Sequence, residues 1–200
     1  MFDFSPVTNK EKKLIDLWRD QEITIEQLAA ATHESIDFML ELIANLSDAD
    51  VVFDPVDPDA HDPEAVEGEE HIGWSIAHLI AHVTATSEEG AAFSSLLARG
   101  VENVKDRPRY ETPWRDFTTK AQCVQRLEES RRIRLAYLDT WPDEPFYENL
   151  RVVPSVRFQD YFGDINAPVA FLMGLHHEVG HYAQLEEVKR QALAARTTNA

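Results

Sequence analysis

The sequence predicts an all-α protein, an antiparallel four-helix bundle. Four long segments repeat apolar residues at three- and four-residue steps, the spacing of one helical face. Three of the four open on a capping residue, and two end on stop signals, Gly100 and Pro142. No stretch alternates apolar and polar residues as a half-buried strand would.

At 200 residues the chain is expected to form a single domain, residues 1–200. A short opening helix is predicted over about Thr8–Asp20, with Thr8 and Glu11 as a capping-box pair. The first long helix begins near Thr24, with Gln27 three residues on, and buries Leu28, Ile36, Met39, Leu40 and Ile43. A long acidic connector follows, about residues 48–70, with the pairs Asp54-Pro55, Asp57-Pro58 and Asp62-Pro63. Asp and Pro at that density sustain neither helix nor a buried surface. The connector lacks the ligand order, central Gly and terminal Glu of an EF-hand, so it reads as a solvated link. The second long helix runs from about His71 to Arg99 with Gly100 as its cap. The third runs from about Thr119 to Trp141, with Gln122 completing the box and an inner stripe of Val124, Leu127, Arg131, Leu135 and Leu138. Glu148 to Asp164 reads as an ordered loop or one short strand across a bundle end. The fourth helix starts near Asn166, holds Pro168 in its first turn and continues to about Ala195.

Charge and cysteine content exclude several functions. Asp and Glu outnumber Lys and Arg 36 to 19, a net charge of −17. Phosphate contacts need clustered basic residues, so no nucleic acid and no anionic membrane is expected as partner. The single cysteine, Cys123, leaves no internal disulfide and no CxxC metal site, and it reads as a small core or surface residue. No apolar run approaches the roughly 18 residues of a membrane span. The Met1–Phe4 start lacks a basic, then apolar, signal. A cytoplasmic location is expected.

The histidines carry the chemistry. His78 and His82 lie four apart on the second helix, and His177 and His181 four apart on the fourth, beside His176. Residues at i and i+4 share one helical face. On the fourth helix Ala170, Gly174, His177, His181, Gln184 and Val188 form a heptad-like inner seam. His176 falls about 100° off that seam and reads as outer. On the second helix His82 lies at the edge of the inner arc, and His78 lies about 40° further toward solvent. The predicted metal ligands are therefore His82, His177 and His181. Three imidazoles together in a core are costly unless an ion takes their lone pairs. Three ligands with an open fourth position describe a catalytic type of site. Imidazole ligands suit zinc, nickel, iron or copper, so the donor set leaves the metal open; zinc or nickel is expected first, with iron or manganese as further options.

His177-Glu178-Val179-Gly180-His181 also spells HExxH, the zincin protease motif, with Glu178 as base. The extended form wants Gly and His where the chain has Gln184 and Glu187. A metalloprotease is therefore a minor alternative.

Trp74-Ser75-Ile76-Ala77-His78-Leu79-Ile80-Ala81-His82 resembles the second-helix motif of the DinB-like superfamily (DinB/YfiT), in which a Trp-Ser pair precedes a ligand His by eight positions. His177-Glu178-Val179-Gly180-His181-Tyr182-Ala183-Gln184 resembles its last-helix motif. The resemblance covers roughly residues 25–195. It implies a four-helix bundle holding a divalent metal through one histidine of the second helix and two of the last. Carried over, these are His82, His177 and His181. Members often carry His-Arg-Gly-Gln where this chain has His181-Tyr182-Ala183-Gln184. Characterised relatives include transferases and isomerases that use bacillithiol or mycothiol at the metal, and relatives commonly form homodimers.

The resulting expectation is a metal-dependent transferase or hydrolase acting on a small molecule, with a low-molecular-weight thiol as a further partner. A non-catalytic metal- or ligand-binding bundle is its rival. Arg131, on the third helix's inner stripe, is a candidate anion clamp beside the metal. Glu178 is a candidate base or a partner orienting a ligand histidine. Trp74 and Tyr182 are candidate pocket walls.

Overall fold

The computed structural model describes residues 1–61, 67–102, 109, 112–152 and 155–198. All regular structure among them is helical: α1 Ser5–Thr8, α2 Leu14–Gln21, α3 Ile25–Ile43, α4 Asp48–Val51, α5 Ile76–Ala98, α6 Lys120–Leu138, α7 Val156–Phe162, α8 Ala167–Gly180 and α9 Tyr182–Thr198. A 3₁₀ turn spans Trp114–Asp116.

Capping side chains set most boundaries. The Thr24 hydroxyl accepts from the Gln27 backbone N–H at 3.3 Å, and the Gln27 side chain accepts from Thr24 at 2.8 Å. Thr119 and Gln122 repeat the box at 3.3 and 3.0 Å. Ser75 caps α5 by accepting from His78 N–H at 3.2 Å, so α5 starts at Ile76 rather than His71. Gly100, at φ +78°, closes α5 with the left-handed turn that favours glycine.

Further sequence expectations need correction. The opener is two helices, because Lys10 turns the chain at φ +62°; Thr8 ends α1 instead of capping. The 148–164 stretch is neither loop nor strand throughout, since Ser155 accepts from Phe158 N–H at 3.3 Å and starts α7. The last helix breaks at His181, whose N–H bonds Glu178 at i−3 (2.9 Å) just after the helix-weakening Gly180. The connector contains α4 and docks on α9, where Gln191 brackets the Val56 backbone at 2.9 and 3.0 Å. Its Asp62-Pro63 pair lies outside the described residues.

Helices α3, α5, α6 and α8 form the frame, with α5 packing on α6 and α8 and α3 on the same two. Paired positions fix their directions. Ser87 meets Gly174 and Gly90 meets Ala170, so α5 and α8 are antiparallel. Arg131 reaches back to His33 while Lys120 reaches Ala44, so α3 and α6 are antiparallel. Glu88 pairs with Arg126 and Ser95 with Thr140, so α5 and α6 run parallel, unlike the all-antiparallel expectation. The 99–119 connection between them is long enough to return along the bundle: about 21 residues reach roughly 70 Å when extended.

Two apolar clusters fill the frame. One joins α1, α2, Leu28 and Ala31 to Phe93, Leu97, Leu138 and the first half of α8. The other joins Ile36–Ile43 to Ile76–Val83, Cys123, Leu127, Leu185 and Val188. Between them, on every long helix, buried residues turn polar: Thr32 and Ser35, Thr84 and Ser87, Ser130 and Arg134, and Glu178. The site lies at this level.

Candidate metal centre

His82 projects from α5 and His177 from α8, and His181 sits at the α8/α9 break. Their Nε2 atoms converge: His82 to His177 is 3.2 Å and His181 to His177 is 3.3 Å. One ligand atom from each lies within 4.8 Å of the others, so the group could hold a metal ion. Nitrogens sharing one tetrahedral zinc at 2.0–2.1 Å stand roughly 3.3 Å apart. The donor set of three imidazoles fits a borderline divalent ion. His181 is oriented for that role, because Gln184 Oε1 lies 2.8 Å from its Nδ1. An amide oxygen only accepts, so Nδ1 carries the proton and the Nε2 lone pair faces the other two rings.

Two of the three rings are held toward the neutral form. Burial, with His181 and His82 close by, pushes the His177 imidazole down to about 3. Burial also lowers His181, against the opposing bond from Gln184. Trp74 covers one side, with ring centroids 4.7 Å from His82 and 6.0 Å from His181. Arg109 stands behind His82, its Nη2 3.5 Å from Nδ1, and donates to Thr86 at 2.7 Å.

A cavity of about 740 Å³ opens beside His177 and His181. Thr86 and Glu89 line it, four and seven residues after His82 and so on the same face of α5. Glu89 is buried and faces Arg109 across 3.7 Å. Arg151, also in the wall, lays its guanidinium 3.7 Å over the Phe93 ring. Glu89, Arg109 and Arg151 were missed in the sequence. Glu89 had a signal, the i, i+4, i+7 step from His82; the two arginines lie on connections where periodicity says nothing.

The other candidates sit elsewhere. Arg131 bonds Asp37 at 2.6 Å and Glu128 at 3.0 Å on the α3/α6 side and does not line the cavity. The buried stripe of α6 is Cys123, Arg126, Leu127, Ser130, Arg134 and Leu138, and its polar members hid the true face from an apolar count. Glu178 is fully buried and turned toward α3 and α6, where Arg134 Nη1 donates to both carboxylate oxygens at 3.0 Å. Ser35 adds a bond at 2.6 Å and is itself bonded by Tyr182 at 2.9 Å. A carboxylate so occupied is no base for water at the trio, which removes the basis of the protease alternative. Among the described residues no hydrogen bond joins the Glu178 carboxylate to a trio imidazole. Tyr182 stacks on Phe38 at 4.1 Å and serves this buried network, not the cavity. His78, expected nearer solvent, is buried between Trp74 and Trp114 at 4.4 and 4.5 Å. His176 is half-buried against Phe4, Tyr161 and Phe162 rather than outer. Cys123 is buried, and burial pushes its thiol up to about 12.

An all-helical frame that gathers three imidazoles from neighbouring helices beside a cavity defines a helical protein with a possible metal site. The chain belongs to the DinB superfamily, whose family model matches residues 31–185. That span takes in all three histidines. No curated protein and no solved structure matches the chain.

Proposed function

We propose that the chain is a single DinB-like domain, a four-helix bundle with α5 and α6 parallel, working as a divalent-metal-dependent transferase or hydrolase. One observation carries this reading: three imidazole nitrogens converge at the wall of a cavity large enough for a small-molecule substrate. A bound zinc or nickel ion would supply Lewis acidity and bring a bound water or thiol toward ionisation near neutral pH. His82, His177 and His181 hold it, and Gln184 fixes the His181 ring. Glu89, buried in the cavity wall on the His82 face, is the carboxylate placed to hold a proton for the reaction. The binding-module reading draws support from Trp74, which covers one side of the trio. No helix among the described residues is long and apolar enough to cross a membrane; a cytoplasmic home and a homodimer complete the proposal.

The test is metal content together with turnover. Purified protein should carry one zinc or nickel per chain. Zinc-loaded protein should accelerate 4-nitrophenyl ester hydrolysis or thiol addition to an electrophile, and His177→Ala should abolish the rate. Full metal loading with rates no better than buffer across both substrate panels favours the binding module.

A further inference from the structure

The cavity beside the trio has a chemistry of its own. Along α8 its lining reaches from Ala170 to Gly180, ten residues or roughly 15 Å of helix, with His181 at the break beyond. Along α5 it reaches from Thr86 to Phe93, roughly 10 Å. The space is therefore elongated, with the histidines at one end. Away from them the walls are mostly carbon, from Phe93, Val152, Phe158, Phe162, Met173 and Ala170, and the ring of His176, also in the lining, has its Nε2 3.4 Å from the Thr8 hydroxyl. Phe158 and Phe162 come from α7 and pack on each other at 4.8 Å, so the short helix forms an aromatic side to the space. The two charged wall residues are engaged, Glu89 with Arg109 and Arg151 over Phe93.

We infer that this cavity takes a small amphiphile: a polar, metal-liganding head at the trio and an apolar tail lying along α8 between Met173 and the α7 aromatics. The substrate class of the metal-dependent reaction follows, and on this point the inference rests on the proposed function. A polyhydroxylated molecule is a poor fit, because its hydroxyls would be buried against carbon without partners. An alkyl or aryl tail gains about fourfold in affinity for each buried methylene.

Three probes separate head from tail in calorimetric titrations of the full chain: acetohydroxamate (head alone), 4-phenylbutyramide (tail alone) and 4-phenylbutyrohydroxamate (both). With zinc-loaded protein, the combined probe should bind at least about 30-fold tighter than acetohydroxamate. Met173→Trp, which fills the tail space, should remove most of that gain while leaving zinc content and acetohydroxamate affinity unchanged. Val152→Asp, at a half-exposed wall position, should lower it as well. Equal affinities for head and combined probes, or a gain that survives both variants, overturn the inference. If the protein takes up no zinc, the metal reading fails by itself. Tail-alone binding to metal-free protein, lost in Met173→Trp, still supports an apolar cavity, and no such binding overturns it.

Discussion

Helix α8 carries two buried polar clusters on neighbouring faces, and they are solved differently. Glu178 meets Arg134 and Ser35, so opposite charges and hydrogen bonds satisfy it within the protein. One residue earlier, His177 faces two more imidazoles, and its Nδ1 has no hydrogen-bond partner among the described residues. The first cluster is closed at its carboxylate, although Arg134 Nε and Nη2 have no hydrogen-bond partner among the described residues; the second is open, with three like donors converging where an ion could sit. Burial alone therefore does not mark a functional site; what marks it is a set of donors of one kind, aimed at one point beside open space.

Breaking the closed cluster should have the largest effect on folding. Arg134→Met leaves a buried carboxylate unpaired and should destabilise by about 3–5 kcal/mol in denaturant unfolding. Arg134→Met with Glu178→Leu should recover much of the loss, and zinc content should survive in both if the clusters are independent.

The open cluster should respond to metal. An ion that binds only the native state adds about 4 kcal/mol at a thousandfold excess over its dissociation constant. Zinc should therefore raise the melting temperature above the chelated value at pH 7.5. The gap should shrink as pH falls below 6.5 through the lowered histidine values toward about 3, where protons compete for the imidazoles. An unchanged melt on chelation of metal-loaded protein would contradict a native-state site.

Metal-free protein should be acid-sensitive through the same residues. His177 titrates at about 3 when folded, below the ordinary 6.5, so between those values the unfolded chain binds more protons. The stability contribution is complete above about pH 6.5 and is lost as pH falls toward 3. His177→Gln should flatten the fall in unfolding free energy over that window. An identical slope in the variant would place the titrating group elsewhere.

What the sequence disclosed follows the same division. Long helices were readable because their caps are local: Thr24 with Gln27, and Thr119 with Gln122, need no tertiary context. The convergence of the three rings was readable because i, i+4 spacing and seam position choose His82 over His78 and His177 over His176. The closed cluster was not readable. Apolar periodicity assigned Arg131 to the inner face of α6, whereas Arg134 is buried because Glu178 awaits it from a segment 44 residues away. Its pairing depends on which helices pack together, as does the cavity wall from α7 and Arg151. The parallel α5/α6 pairing depends on the path of a long connection, where periodicity is silent.

The smallest effect concerns Cys123. Buried and with a thiol raised to about 12, it should react with iodoacetamide only upon unfolding, in metal-free and metal-loaded protein alike. Rapid labelling of native protein, followed by mass spectrometry, would show that α6 opens locally.

The central claim is that His82, His177 and His181 hold one divalent ion, and equilibrium zinc content after dialysis tests it most directly. Wild-type protein, His176→Ala and His78→Ala should each retain one zinc per chain. His82→Ala, His177→Ala and His181→Ala should retain none, with helical content unchanged by circular dichroism. Equal loss in His176→Ala, or full retention in His177→Ala, would contradict the account.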